Sequence, residues 1–175
     1  MNDNIICICY SRTGTTRRVM TELASALDCE LVFLRDTVNR SGALGVLRCG
    51  LDAMRKKTKP VNRLVMRRPL SDYGLVILGT PVWAGRCSSV MRGFLKRRGL
   101  ELGDVACVLT HASEEQYRDV FDQIDRYLKQ PRVAEVSLCP RSAGYVFWRD
   151  QFLKTVADRM GIALLPIPEA EETEG

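Results

Sequence analysis

Five short apolar runs recur along the chain, and most are followed by a stretch with helical spacing of its hydrophobic residues. The runs cover residues 5–10, 30–34, 75–78, 105–109 and 133–138. Continuous apolar runs of this length are typical of strands that are buried on both faces of a sheet. Because parallel neighbours need crossover connections, the alternation predicts an α/β protein with a doubly wound, five-stranded parallel sheet between two layers of helices.

The helical stretches carry apolar side chains three or four residues apart, which is the spacing of an amphipathic helix. Helices are predicted over 15–28, up to a stop at Gly99, over 114–129 and up to a stop at Gly161, since glycine commonly ends helices. In the last helix the predicted buried face consists of Trp148, Phe152, Val156 and Met160.

One long stretch, residues 36–69, interrupts this alternation. It is rich in glycine and basic residues and contains a helix-compatible segment over 51–57. Connections of this length are uncommon in compact domains and tend to be functional. We predict one domain over 1–165 with this long basic insertion, followed by an acidic tail over 166–175 that is poorly ordered. The pattern leaves open whether the insertion forms a lid, a dimer surface or a partner dock.

Composition narrows the class of protein. The 175 residues carry a net charge of +5, and no apolar run approaches the length that spans a bilayer. The first residues lack the features of a secretion signal, so we expect a cytoplasmic protein. Seven cysteines without a CxxC pair indicate neither a disulfide framework nor a metal site. Cys7, Cys9 and Cys107 are expected to be buried. Cys49 and Cys87 are predicted to lie in basic, exposed stretches, where positive charge lowers a thiol pKa, although an incidental thiol is the simpler interpretation of both.

The positive charge is concentrated between residues 35 and 68. A basic surface of this kind favours anionic partners, so a non-catalytic module that binds an anionic partner is one hypothesis. Aromatic residues are not interleaved with the basic ones, as a surface for single-stranded nucleic acid requires, which argues against nucleic acid.

The loop after the first strand carries the clearest chemical signal. Its residues are Ser11, Arg12, Thr13, Gly14, Thr15 and Thr16. Four hydroxyl groups, the backbone amides and the positive end of a helix dipole together suit a phosphate, with Arg12 as an added cation. A helix cap by itself needs only one such hydroxyl. The chain contains neither GxxxxGK(S/T) nor GxGxxG. A tyrosine phosphatase needs an arginine six residues after its cysteine, whereas the two cysteines of the first strand, Cys7 and Cys9, have threonine there.

This loop fits the pattern (S/T)-x-T-G-x-T, and the chain resembles the flavodoxin family, which has that phosphate loop after its first strand. A second match follows the third strand, at Thr80, Pro81, Val82, Trp83, Ala84 and Gly85. The glycines of the insertion are similar to those of a bacterial flavodoxin-like subgroup, so the resemblance covers most of the chain. It implies the strand order 2-1-3-4-5 and flavin mononucleotide (FMN) as the cofactor.

The resemblance also implies a role for each of three loops. The first would hold the FMN phosphate. In the second, Trp83 would stack on the flavin, while small residues would let backbone amides approach the ring edge. The third, after the fourth strand, would contact the ring through Thr110, His111, Ala112 and Ser113. His111 is the only histidine, and no acid or base role is assigned to it.

Two departures from electron-carrier flavodoxins shape the functional hypothesis. Those carriers resemble one another in acidity around the flavin, whereas this chain is basic, and their fourth-strand loop commonly supplies a second stacking aromatic that residues 110–113 lack. One flavin face would then be open to a small substrate. The sequence therefore predicts either electron transfer or NAD(P)H-dependent reduction of a quinone-like or other small acceptor. A redox partner protein, a homodimer and a fold that no longer retains its cofactor remain alternatives.

Overall fold

The computed structural model describes residues 1–35, 64–113 and 115–167. Within these residues five strands run parallel in one sheet: β1 (Asn2–Cys9), β2 (Cys29–Phe33), β3 (Leu75–Trp83), β5 (Asp104–Thr110) and β6 (Ala134–Leu138). The short strand β4 (Arg86–Cys87) pairs antiparallel with the end of β3. The order β2-β1-β3-β5-β6 confirms the order predicted for the parallel strands. The strand β4 is an addition that the apolar pattern did not predict.

Helices cover both faces of the sheet. The described helices are α1 (Thr15–Ala26), α2 (Ser89–Arg98), α3 (Arg118–Asp125) and α4 (Tyr145–Met160). Side chains of β1 alternate between the faces: those at positions 5, 7 and 9 lie with α1 and α4, and those at positions 6 and 8 lie with α2 and α3. Both sets are fully buried, which explains why the strand is a continuous apolar run. The doubly wound, three-layer prediction is confirmed.

The helix α1 approaches β3 closely at Gly79. A Cβ atom there would lie 2.4 Å from Met20 Sδ and 3.0 Å from Cys9 Cβ. Met20 is itself fully buried, so it has no open space into which to move. The absence of a side chain at Gly79 therefore sets how near α1 lies to the end of β3.

The helix α3 is shorter than the helix predicted over 114–129. It begins only at Arg118, because Tyr117 has φ +50° and ψ +40°, a left-handed conformation that an α-helix does not contain. The Tyr117 hydroxyl lies 2.9 Å from Ser113 Oγ, and its ring centroid lies 5.0 Å from that of His111. These contacts place Tyr117 in the loop after β5 rather than on the helix.

The first turn of α4 also differs from the prediction. Phe152 and Val156 are buried as predicted, whereas Trp148 is 51% exposed. Tyr145 takes the inner position, since its hydroxyl donates a hydrogen bond of 2.6 Å to Glu22 Oε2 on α1. A polar contact between two helices therefore decides the rotation of this turn, and a periodicity of apolar residues does not contain that information.

The cysteine predictions have a mixed outcome. Cys7, Cys9 and Cys107 are fully buried, as predicted. Cys87 is only 1% exposed, so its predicted exposure is wrong. Burial raises the pKa of the Cys87 thiol to about 11, which is opposite to the predicted direction. The hairpin of β3 and β4 is the reason, because it turns Cys87 toward the core beside α2.

Several predictions lie outside the described residues. They concern the insertion over 36–63, with its helix over 51–57 and the exposure of Cys49, and the acidic part of the tail over 168–175. Of the predicted tail, Pro166 and Ile167 are described, and Ile167 packs partly buried against the core beneath α1 and α4. In the described ranges, no helix combines the length and the apolar character that crossing a membrane requires.

Candidate functional site

A cleft of about 580 Å³ lies at the carboxyl ends of the central strands. The winding direction of the sheet reverses between β1 and β3, and ligands of such sheets bind at this switch point. Its volume falls within the roughly 300–1,000 Å³ of small-molecule sites. Among the described residues, the lining consists of Arg12, Thr13, Gly14, Thr15, Thr16, Arg18, Pro81, Val82, Trp83, Thr110, His111, Ala112, Pro140 and Arg141.

Gly14 determines the shape of the loop after β1. It has φ +97° and ψ −22° immediately before α1, a conformation that glycine adopts at little cost. The Gly14 N–H donates a hydrogen bond of 3.1 Å to Ser11 Oγ. Ser11 therefore stabilises the loop from within, and it does not line the cleft.

The first turn of α1 presents unused hydrogen-bond donors to the cleft. The residue before the helix, Gly14, has no side chain with which to cap it, so the first amides of α1 have no helical partner. The hydroxyls of Thr13 and Thr15 line the cleft and make no hydrogen bond within the part of the chain that the structure describes. These donors, together with the helix dipole, form a site for an anion.

The hydroxyl of Thr16 has a different role from those of Thr13 and Thr15. Its Oγ1 lies 2.8 Å from Thr110 Oγ1, and the two residues are only 1% and 2% exposed. This hydrogen bond connects the loop after β1 to the end of β5 across 94 positions of sequence. The two loops are thereby held together at the floor of the cleft.

The loop after β3 is a hairpin. Ala84 and Gly85 form its tip with φ values of +46° and +66°, the signs that a type I′ turn has at both central positions. Trp83, directly before the tip, lines the cleft, whereas Ala84 and Gly85 do not. The ring of Trp83 meets that of Tyr10 edge to face, with centroids 5.7 Å apart. The predicted stacking residue thus has a second aromatic ring as support.

Thr80 lies beneath the cleft rather than in its wall. It is fully buried, and its Oγ1 accepts a hydrogen bond of 3.1 Å from the Ser88 N–H. Ser88 in turn accepts a hydrogen bond from the Met91 N–H and so caps α2. Thr80 therefore helps to set where α2 begins, and the loop motif alone did not separate this role from a ligand contact.

His111 lines the cleft with both ring nitrogens engaged. Its Nδ1 lies 2.6 Å from the Ser113 carbonyl oxygen and its Nε2 lies 2.8 Å from Ser137 Oγ. These partners fit a neutral ring that donates from Nδ1 and accepts at Nε2. Burial lowers the pKa of His111 below its ordinary value, against smaller opposite effects of the Ser113 carbonyl and Glu115. His111 is thus a neutral wall residue, while Ser113 supports it without lining the cleft.

The loop between β6 and α4 supplies a further wall that no sequence motif marked. Pro140 and Arg141 line the cleft there, because β6 lies next to β5 in the sheet. Arg141 joins Arg12 and Arg18, so the described lining contains three arginines and neither Asp nor Glu. The cleft therefore has a positive potential that favours anionic ligands.

The basic surface predicted over 35–68 is described only at its ends. There Arg68 Nη2 lies 3.5 Å from Asp3 Oδ2, and its guanidinium lies 5.7 Å from the centre of the Tyr73 ring. The Arg67 backbone N–H donates a hydrogen bond of 3.2 Å to Glu30 Oε1. These local contacts give no particular support to an anion-binding surface.

The strand order, the double winding and the cleft at the switch point define the flavodoxin-like fold. No protein-family model matches the chain, and a sequence search of curated proteins finds no match either. The fold itself is shared with several solved structures.

One of these is a protein classed as a flavoprotein from Bacteroides eggerthii, with 16% identity over 92% of this chain and 99% of the other, at a TM-score of 0.72. A flavoprotein from Lactobacillus acidophilus, solved in complex with FMN, has 17% identity over 84% of this chain and 99% of the other, at a TM-score of 0.63. A flavodoxin, WrbA-like protein from Agrobacterium tumefaciens has 13% identity over 90% of this chain and 97% of the other, at a TM-score of 0.56. At these identities the likeness is one of fold.

Proposed function

We propose that this protein binds FMN in the cleft and serves as a redox flavoprotein. The observation that carries the proposal is the uncapped first turn of α1 in the same cleft as Trp83, together with the hydroxyls of Thr13 and Thr15, which have no partner among the described residues. A phosphate donor set and an aromatic ring within one cleft match the two ends of a flavin mononucleotide. The flavoprotein from Lactobacillus acidophilus, which shares the fold, was solved with this ligand.

The phosphate end is assigned to the loop after β1. The amides of the first turn of α1 and the hydroxyls of Thr13 and Thr15 bind the phosphate oxygens, because charge-assisted hydrogen bonds to an anion are strong. Arg12 lies at the same wall and adds positive charge. Ser11 and Thr16 support the loop and do not bind the phosphate themselves, since their hydroxyls already bond to the Gly14 N–H and to Thr110.

The ring end is assigned to the other two predicted loops. Trp83 supplies an aromatic face that its edge contact with Tyr10 keeps in place. Thr110, His111 and Ala112 line the same cleft, next to the end of β3. When bound, FMN supplies the redox chemistry, for which the protein provides position and electrostatics. The neutral His111 and the arginines of the cleft set that electrostatic environment.

The binding proposal is tested by reconstitution with FMN and with riboflavin, which lacks the phosphate. We expect the double substitution Thr13→Ala and Thr15→Ala to weaken FMN binding by about 100-fold, since each lost hydrogen bond to the charged phosphate is worth roughly tenfold. Riboflavin binding should not change. Thr21→Ala, on an exposed position further along α1, is the matched control and should bind FMN like the wild type. Purified protein that is colourless and stays colourless with FMN would contradict the proposal.

The finer role is tested separately with the FMN-loaded protein. We propose that it oxidises NADH or NADPH and reduces a quinone-like or other small acceptor. A cleft with about 580 Å³ of space and a positive lining supports a small-molecule reaction over docking to a basic partner. Steady-state turnover of a nicotinamide with a quinone supports an oxidoreductase. Stable flavin binding without any turnover identifies an electron carrier instead.

A further inference from the structure

A second, smaller cavity adjoins the cleft on the side of β6. Its volume is about 220 Å³, and it shares His111 with the cleft as a common wall residue. At roughly 30 Å³ per water in the liquid, this is room for about seven waters, which suits a single ring rather than a flavin. We call this cavity the side pocket. Its lining in the described residues includes His111, Gln116, Ser142, Gly144, Tyr145 and Trp148.

The side pocket has an exposed aromatic wall, the indole of Trp148, which meets the Phe147 ring edge to face with centroids 5.1 Å apart. Trp148 is 51% exposed although the spacing of α4 predicted it in the core. Gly144 lies close to it, since a Cβ atom added at that position would be in van der Waals contact with the indole, 3.4 Å from Trp148 Cδ1. An indole held in this way offers a flat apolar surface on which an aromatic ring can stack.

The hydroxyls around the pocket are already used within the protein. Ser142 Oγ donates to the Cys139 carbonyl at 2.9 Å, and Tyr145 donates to Glu22. His111 Nε2 accepts from Ser137. These hydroxyls and the His111 ring are therefore preorganised. The amide of Gln116 also lines the pocket but carries no charge, so a preference for a charged ligand must come from another group nearby.

Arg141 is that group. It stands in the loop whose residues Cys139 and Ser142 line the side pocket, while Arg141 itself lines the cleft. It makes neither an ion pair nor a hydrogen bond within the described ranges of the chain. Of the other arginines that line the cleft, Arg18 lies 3.8 Å from Glu22, and that carboxylate is also bound by Arg149 at 2.9 Å. The described lining of the two cavities contains no Asp or Glu that could balance the positive charge of Arg141.

We propose that the side pocket and Arg141 bind a monocyclic aromatic molecule that carries an anionic group. The ring stacks on Trp148, and the anion pairs with Arg141 at the boundary of the cleft. If the protein is a redox flavoprotein as proposed above, this molecule is its second substrate, and that part of the inference rests on the proposed function. Binding to the pocket does not itself require FMN.

Benzoate and benzamide are the probes, because they differ in charge but hardly in shape. Binding is followed in ¹⁵N-labelled protein, with and without FMN, through the indole N–H signal of Trp148, assigned by its loss in Trp148→Leu. We expect benzoate to shift this signal and to bind about tenfold more tightly than benzamide. Arg141→Gln should remove that preference, since one charge-assisted contact is worth about that factor.

The matched control is Arg126→Gln, which removes the same charge at the exposed end of α3, away from both cavities. It should keep the wild-type preference for benzoate. Equal affinities for benzoate and benzamide, a preference that survives Arg141→Gln, or an unchanged Trp148 signal would overturn the proposal. Failure to bind FMN would contradict the proposed function instead. The benzoate titration of the same protein would still show whether the side pocket binds an aromatic anion.

Discussion

Gly14 shows how one residue controls the candidate site. Its φ of +97° turns the chain into α1, and its lack of a side chain leaves the first helical amides uncapped. The space around it is open, with no atom within 4 Å of an added Cβ. Glycine is therefore required at this position for its backbone conformation and not for lack of space. A substitution should strain the backbone without causing a clash.

Gly14→Ala should lower the free energy of unfolding by about 1–2 kcal/mol, the cost of a left-handed conformation for a residue with a Cβ. It should also weaken FMN binding, because relaxation of the backbone moves the donor amides. Urea denaturation and flavin titration measure the two effects. Gly103→Ala is the control: its added Cβ would lie 3.6 Å from the Tyr73 carbonyl oxygen, an ordinary contact. Equal destabilisation by both substitutions would refute the conformational explanation.

His111 allows a second prediction at this scale, since it is the only histidine in the chain. Burial lowers the pKa of its ring in the folded protein, so the unfolded state takes up a proton at a higher pH. The stability that depends on the neutral ring is present above about pH 6.5 and is lost as the pH falls through the folded-state pKa.

The pKa can be measured directly from the pH dependence of the ring proton signals of His111. We expect a midpoint below 6.5 and a lower thermal midpoint of unfolding at pH 5 than at pH 7. His111→Gln should reduce this difference. A midpoint above 6.5, or a gain in stability on acidification that depends on His111, would contradict the prediction.

At the scale of elements, the apolar pattern predicted the parallel strands and the helices that cover them. It succeeded where burial on both faces produces a continuous run, as in β1 and β5. It failed where polar or aromatic contacts between distant segments decide the geometry. Tyr117 leaves α3 for a contact with His111, and Tyr145 displaces Trp148 from the inner face of α4. Neither contact has a signature in the local sequence.

The packing of α1 on β3 gives a prediction about two elements. Gly79→Ala should destabilise the protein by about 1–3 kcal/mol, because the new Cβ overlaps the buried side chain of Met20. Met20→Ala alone should cost about 2–5 kcal/mol through the cavity that it leaves. In the double variant the new methyl group occupies part of that cavity. Urea unfolding of the double variant should therefore show a smaller loss of unfolding free energy than the sum of the two single losses. Additive losses would contradict the contact between Gly79 and Met20.

At the scale of the whole molecule, the cleft exists only because four loops from distant parts of the chain meet, those after β1, β3, β5 and β6. The Thr16 to Thr110 hydrogen bond joins two of them, and the position of β6 brings in Pro140 and Arg141. A ligand that bridges these loops binds the folded state alone. Its binding must therefore stabilise the entire fold.

FMN should raise the thermal midpoint of the protein. At a concentration 100 times the dissociation constant the gain is about 2.7 kcal/mol, or roughly 5–10 °C for a chain of this length. Riboflavin at the same concentration should give a clearly smaller shift, since it lacks the phosphate. Differential scanning fluorimetry with tryptophan emission, or calorimetry, gives the comparison. Identical shifts from FMN and riboflavin would show that the loop after β1 does not bind the phosphate.

The sequence by itself determined the elements and the chemistry of the first loop. Burial on both faces requires apolar runs, and the hydroxyls and glycine of residues 11–16 precede a helix, so both signals are local. Only the tertiary structure decided which hydroxyls have a hydrogen-bond partner in the described part of the chain and which have none. Thr13 and Thr15 face the cleft, whereas Thr16 and Thr80 bond to partners far along the chain or beneath the loop. It also placed Arg141 and Trp148 beside the cleft, because neighbours in a sheet are set by the fold and not by distance in sequence.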